Sequence, residues 1–313
     1  MNIEINPNKT GFAYHLKFLE HIISYGHPES PERLKRILEQ LKSDNLLEYL
    51  DYVAPVENPL SYISKIHTLE HIQSIQNINT TGEIAELAVA HVLGAVKAVS
   101  EGKIKNAFCA VRPPGHHAHN AGCEEGFCYY NNIAIAARYA QEIMGHKKIL
   151  IVDWDYHHGN GTQDAFLADP YVMYFSTHNL FDYPGTGYPE ITGYGEGKGY
   201  NLNVPLKYGA TDEDIISVFE KILIPKAVQF QPDFIFISAG FDSRKEDLLG
   251  CFEITDKGFS HLTQIIMDIA FTFCNGRIVS ILEGGYNIEG LAKAVSSHIQ
   301  TLMTYKATTI KFE

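Results

Sequence analysis

The chain has 313 residues, enough for one large α/β domain or two ordinary ones, and 45% of them are apolar, enough for a full core. Its 25 basic and 37 acidic side chains leave a formal net charge of −12. That balance argues against a surface that grips nucleic-acid phosphates, which needs clustered Lys and Arg, and suits cationic partners such as lysine-rich tails or polyamines. No apolar run nears the roughly 18 residues needed to span a bilayer. The opening MNIEINPNKT has neither a basic n-region nor an apolar h-region, so no secretory leader is expected and the expected location is cytoplasmic.

In chain order, Ser30-Pro31 is placed to cap and start a helix through ERLKRILEQL. Five short apolar runs follow, rich in β-branched residues: AFCAV (107–111), ILIVD (149–153), VMYFS (172–176), FIFIS (234–238) and IVSIL (278–282). They are continuous rather than alternating, as in strands buried on both faces. Helical patterns lie at 131–144, at 211–230 behind a Thr211/Asp214 capping box, at 256–273 and at 287–303. The alternation predicts one α/β domain over residues 1–313, a central parallel sheet with helices on both faces. The cysteines, Cys109, Cys123, Cys128, Cys251 and Cys274, form no C-x-x-C pair, so neither a disulfide framework nor a Cys-zinc site is expected. Cys109 and Cys274 fall in or near apolar runs and are expected in the core.

Polar clusters stand after four of the strands, at the edge where open α/β sheets bind ligands. In Asp153-Trp154-Asp155-Tyr156-His157-His158-Gly159-Asn160-Gly161, alternation along an extended segment projects Asp153, Asp155 and His157 the same way. A carboxylate and an imidazole so spaced can share a cation, and the two glycines allow a sharp turn afterwards. A lone Asp242 in Ser238-Ala239-Gly240-Phe241-Asp242 reads as a cap. Added to Asp155 and His157, it completes three ligands with a position left for water, the layout of a catalytic zinc. Such an oxygen-rich set would also accept Fe²⁺ or Co²⁺. Arg112-Pro113-Pro114-Gly115 stiffens the loop that presents His116 and His117, imidazoles suited to acid–base work. Glu283-Gly284-Gly285-Tyr286 brings backbone close to a neighbour and ends in a phenol that can donate to an oxyanion.

Together these segments resemble the zinc-dependent histone deacetylase superfamily, which includes bacterial acetylpolyamine amidohydrolases and acetoin-utilisation proteins. The resemblance runs from HPESPERL (27–34) through RPPGHHA (112–118), GFCYYNN (126–132), DWDYHHGNG (153–161), YPGTG (183–187), SAGFD (238–242) and DLLGCF (247–252) to EGGYN (283–287). It is nearer the class II branch by Asn160 and the Leu-Leu-Gly stretch. The resemblance implies an arginase-like α/β fold and a deacylase acting on N-acyl-lysine side chains, or on an acylated amine. It implies one Zn²⁺ on Asp155, His157 and Asp242. His116 and His117 match the tandem catalytic histidines, paired with Asp153 and Asn160, and Tyr286 matches the carbonyl-polarising tyrosine. Gly126, Phe127, Tyr183, Leu249 and Gly285 match substrate-contacting positions. A structural K⁺ would fall at Asp153, Asp155, His157, Ser176 and Thr177.

Two departures bear on substrate. Residues 71–86 read as a short rim loop, and the loop at 179–182 is also short. Leu249 stands where polyamine-specific relatives carry an acid, which favours acyl-lysine. Two rivals from other classes are an acyl-binding pseudoenzyme and an arginase-type hydrolase with two Mn²⁺; the latter wants more bridging carboxylates than these motifs supply.

Overall fold

The computed structural model describes residues 9–305. The stretch MNIEINPN, read above as part of a leaderless start, lies outside them. Eight parallel strands form one sheet: β1 (Thr10–Ala13), β2 (Asp51–Tyr52), β3 (Asn106–Cys109), β4 (Ile149–Asp153), β5 (Val172–His178), β6 (Asn201–Pro205), β7 (Phe234–Ala239) and β8 (Ile278–Leu282). Their spatial order is β2-β1-β3-β8-β7-β4-β5-β6. Every residue of β1, β3, β4, β5, β7 and β8 is buried, as their continuous apolar character requires. The five predicted runs are all strands. The three strands without a predicted counterpart stand at or near the sheet's edges, where short or partly exposed segments carry little apolar signal.

The helices are α1 (Glu32–Ser43), α2 (Leu60–Ile63), α3 (Leu69–Gln76), α4 (Asn79–Ser100), α5 (Asn132–Glu142), α6 (Asn160–Phe166), α7 (Asp212–Val218), α8 (Ile224–Phe230), α9 (Asp256–Cys274) and α10 (Ile288–Thr304). α1, α9 and α10 pack as one group; α4 and α5 form another, and α5 and α9 both lie on β7. The sheet is thereby flanked by two helical groups. Cys109 and Cys274 are buried in this core.

Several local expectations change. Ser30 does not cap α1: Pro31 stands at the N-cap without a side-chain bond, and the Ser30 carbonyl accepts from Arg33 N–H. The segment 71–86 is not a loop but the body of α3 and the first turns of α4. The loop expected there from the resemblance is taken up by helix, with Ile72, Ile75 and Ile84 buried against the core. The helix over 211–230 begins with the Thr211/Asp214 capping box as predicted, but a wide π-type turn at Phe219–Leu223 splits it before Pro225. Proline lacks the N–H and crowds the preceding turn, and the extra backbone length relieves that conflict.

Candidate functional site

The strand register brings the predicted residues to one level. Asp153, at the end of β4, sits opposite Ser176 of β5 and Ser238 of β7, and Ser238 sits opposite Ile281 of β8. The loops after β3, β8, β7 and β4, four consecutive strands of the sheet, therefore emerge side by side. They carry His116 and His117, Glu283 to Tyr286, Asp242, and Asp155 with His157, in that order.

Asp155, His157 and Asp242 converge, with ligand atoms within 4.8 Å of one another. His157 Nδ1 lies 2.9 Å from Asp242 Oδ2 and 3.3 Å from Asp155 Oδ1. Backbone N–H groups hold the carboxylates: Gly284 donates to Asp155 Oδ2 at 2.9 Å and Tyr156 donates to Asp242 Oδ1 at 2.9 Å. A Cβ on Gly284 would stand 2.1 Å from Asp242 Oδ2 and 2.7 Å from Asp155 Oδ2, so glycine keeps the space between the acids clear. Two carboxylates anchored from behind and one imidazole fit a divalent cation with an open coordination position.

Gly159 and Gly161 have a different use from the one expected. Neither has a positive φ. A Cβ on Gly159 would lie 2.4 Å from Asp153 Oδ2, and one on Gly161 would lie 2.3 Å from the Ala118 carbonyl. They permit close approach rather than a turn.

The two histidines are adjacent, with ring centroids 4.0 Å apart, but face opposite chemistry. His116 Nδ1 lies 3.1 Å from Asp153 Oδ2, which also accepts from Tyr174 Oη at 2.9 Å. His117 Nδ1 lies 2.8 Å from Asn160 Oδ1. Burial opposes a charge on His116, yet Asp155, Asp153 and Glu283 outweigh it and push its pKa up to about 10. For His117 burial dominates and His116 adds to it, so its pKa falls well below the usual imidazole value.

The acids are likewise pulled apart. Burial and then the Asp155 charge push Asp242 up to about 7, and burial pushes Glu283 up to about 7 and Asp153 above its usual value. Asp155 is held below the carboxylate range against burial by His116 and His157. Carboxylates that compete for protons in this way suit a site that takes positive charge, and a bound cation reverses the shifts of its ligands.

A cavity of about 440 Å³ opens above this floor, lined by His117, Gly126, Phe127, His157, Asp182, Tyr183, Leu249 and Tyr286. Gly126 has φ +55°, and a Cβ there would lie 2.3 Å from His117 Cδ2. Phe127 follows with φ +67°, a conformation that non-glycine residues adopt at a cost and that recurs at functional sites. Its ring meets Tyr286 edge to face at 6.0 Å, and the Tyr183 ring stands 5.0 Å from His117. Tyr286 immediately precedes Asn287, the N-cap of α10, whose side chain accepts from Gly290 N–H. Burial and then Asp242 raise the Tyr286 hydroxyl pKa well above the usual value, so it stays a donor. Gly285 does not line the cavity; its carbonyl accepts from Arg33 Nε at 2.7 Å. At the expected potassium positions, Ser176 Oγ lies 2.9 Å from His178 Nδ1, and Thr177 Oγ1 is buried without a partner among the described residues.

Residues 27–302 match the family described as histone deacetylase domain. The chain belongs to the histone deacetylase family. A probable deacetylase of Archaeoglobus fulgidus is 37% identical over 297 residues, covering 90% of this chain and 82% of that protein. Histone deacetylase 15 of Arabidopsis thaliana is 43% identical over 70% of this chain, and the chain spans only 39% of that relative's length. The solved HDA15 HD domain superposes with a TM-score of 0.88 at 34% identity, covering 94% of this chain and 90% of that one. Deacetylases are hydrolases of amide C–N bonds, and this chain is an enzyme of that class. No helix among the described residues is long and apolar enough to cross a membrane.

Sequence reasoning missed the supports beneath the site. Glu29 is fully buried between Arg33 and Arg112. Arg33 donates to the carbonyls of Glu283, at 2.5 Å, and Gly285, while Arg112 donates to the Phe18 and His21 carbonyls at 2.7 and 3.1 Å. Glu283 Oε2 accepts from Gly115 and His116 N–H at 2.7 and 3.1 Å. The HPESPERL segment thus braces both the loop bearing the histidines and the loop bearing Tyr286. The Glu29/Arg33 i,i+4 spacing was visible, but it reads as an ordinary surface pair.

Proposed function

We propose that the chain is a zinc-dependent deacylase that hydrolyses the side-chain amide of N-acyl-lysine in a peptide or protein. One observation carries this reading: His117, His157 and Tyr286 line the same cavity as the apolar walls Phe127 and Tyr183. A proton acceptor, a metal ligand and a phenol donor thus meet where an aliphatic stem could lie. Asp155, His157 and Asp242 would hold Zn²⁺, with Fe²⁺ or Co²⁺ as substitutes. The ion would polarise an acyl carbonyl and ease deprotonation of a water.

His117 takes the proton from the attacking water at Nε2, because its Nδ1 is committed to Asn160. Its depressed pKa keeps it free to accept at neutral pH. Tyr286 donates a hydrogen bond to the oxygen on which negative charge develops. The protonated His117 then delivers its proton to the leaving amine. His116, oriented by Asp153, which in turn accepts from Tyr174, lends positive charge from behind. Gly126 offers backbone at the cavity wall, and Leu249 completes the substrate-facing set. The buried Ser176, opposite Asp153 in the sheet register, supports a structural K⁺ that Asp153, Asp155, His157, Ser176 and Thr177 would hold.

A second reading, an acylated polyamine as substrate, is favoured by Asp182. Its carboxylate lines the cavity and accepts from Tyr156 Oη and, at 2.8 Å, from Tyr208 Oη. A fixed acid there could meet a second ammonium. Zinc-loaded protein should be assayed on acetyl-lysine peptides, longer acyl-lysines, acetylspermidine and acetylputrescine. Acyl-lysine turnover that chelator abolishes supports the proposal. Turnover of acetylspermidine alone, lost in Asp182→Asn, replaces it with the second reading. His117→Ala should lose about 10²–10⁴ in kcat with one zinc retained per chain; loss of the metal instead would make His117 a ligand.

A further inference from the structure

Asn160 is an amide, and an amide can present either end to a histidine. If its oxygen faces His117 Nδ1, that nitrogen carries the proton and Nε2 is left as a base. If its NH₂ faces His117, Nδ1 must accept, the proton moves to Nε2, and the nitrogen toward the cavity has nothing left to take a proton with. A carboxylate at 160 would leave no such choice. Something beyond Asn160 must therefore set its orientation.

The structure places two groups there. Asn160 Nδ2 lies 3.0 Å from Glu125 Oε1 and 3.0 Å from His119 Nε2. His119 Nδ1 stands 3.1 Å from Asp164 Oδ2, so a neutral His119 donates to Asp164 and accepts from Asn160. The hydrogen bond to Asp164 raises the His119 pKa despite partial burial. Once protonated, its Nε2–H can no longer accept, and it faces Glu125 Oε2 at 3.4 Å instead. A carboxylate accepts in either case. Glu125 is itself rigidly placed: its N–H donates to the Cys128 carbonyl at 3.0 Å and its carbonyl accepts from Cys128 N–H at 2.9 Å. The same Oε1 also accepts from Tyr183 Oη at 3.2 Å.

We propose that Glu125 is a positioning residue: by taking the Asn160 NH₂ it turns the Asn160 oxygen to His117 and holds His117 as the Nδ1–H tautomer, while tying the Tyr183 wall to the same carboxylate. The proposal rests on the reading of His117 as the base.

The direct test is ¹⁵N NMR of the imidazole nitrogens in zinc-loaded protein, with the His117 signals identified by their absence in His117→Ala. The wild type should show a protonated Nδ1 and an unprotonated Nε2 at His117. Glu125→Ala should show a mixture of both tautomers. An Nε2–H tautomer in the wild type, or an unchanged Nδ1–H tautomer in Glu125→Ala, overturns the proposal. Kinetics on an acetyl-lysine peptide provide the second arm. Glu125→Ala should lower kcat about 10-fold, with KM within about two-fold and zinc content unchanged. In the Asn160→Asp background, removing Glu125 should cost less than about two-fold, because the carboxylate at 160 only accepts. An equal loss in both backgrounds, or an equal loss in Tyr183→Phe, assigns the effect to general structure or to the wall and overturns the proposal. If Glu125→Ala does not fold, Glu125→Gln takes its place; it can accept or donate, so its tautomer mixture and kcat should fall between wild type and full loss. A fully active His117→Ala would remove the base reading itself, whatever Glu125 does.

Discussion

Glu29 and Asp242 are both fully buried carboxylates, yet their surroundings treat them in opposite ways. Glu29 lies between two guanidinium groups and beside His21, and despite burial these hold its pKa far below the usual carboxylate range. Asp242 shares its space with Asp155 and is pushed up to about 7 by burial and by that like charge. In the first cluster the two guanidinium groups share one carboxylate and give their other donors to backbone carbonyls. The second gathers Asp153, Asp155, Asp242 and Glu283 around His116 and His157, and its acids compete for protons. A buried cluster whose cations find a carboxylate and backbone carbonyls braces a fold; one with surplus negative charge marks where a cation belongs.

The largest expected effect that tests this contrast is Glu29→Gln. It leaves two buried arginines without their anion and should cost about 3–5 kcal/mol in urea unfolding. A loss below about 1 kcal/mol would mean that the brace is not structural. Next comes the metal. Zinc added to chelated wild-type protein at roughly 100 times its Kd should add about 2.7 kcal/mol, and Asp242→Asn should gain nothing at the same concentration. Equal gains in both would place the ion elsewhere. In metal-free protein, Asp242→Asn should be neutral or stabilising, on the order of 1 kcal/mol at neutral pH, because it removes one of two crowded like charges.

The smallest and most discriminating effect is the sign of the pH dependence. The folded pKa of Glu29 is depressed, so its contribution is complete above its unfolded value of about 4.3 and is lost as pH falls toward the folded one. The folded pKa of Asp242 in metal-free protein is raised to about 7. Its contribution is therefore complete below about pH 3.9, the unfolded value, and is lost as pH rises through 7. Measured against pH, the stability gap between wild type and Glu29→Gln should narrow below about pH 4. The metal-free wild type should lose stability relative to Asp242→Asn between about pH 4 and 7. Slopes of the same sign would show that the two clusters do not differ as argued.

The legible parts of the fold were those whose signal is local. Ile149–Asp153 and Ile278–Leu282 have the bounds the sequence suggested, because central strands are apolar on both faces. The edge strands at Asp51–Tyr52 and Asn201–Pro205 and the short Thr10–Ala13 beside the first were not seen, and α3 with the start of α4 was expected as a rim loop. At the site, the residue types were readable from their motifs. Glu125, Asp182, Glu29 and Arg33 were not, because each acts through a partner distant in the chain: Arg33 reaches Gly285 across 252 positions.

By itself, then, the sequence determined that Asp155, His157, Asp242, His116, His117 and Tyr286 follow buried parallel strands, since burial on two faces and strand-end position are properties of short segments. Only the tertiary structure decided that these loops converge on one cavity, because strand order and register are set by pairing between segments that no local pattern encodes. It also decided which way each group is turned. Asn160 faces His117 with its oxygen where its NH₂ meets Glu125, a choice that depends on a residue 35 positions away.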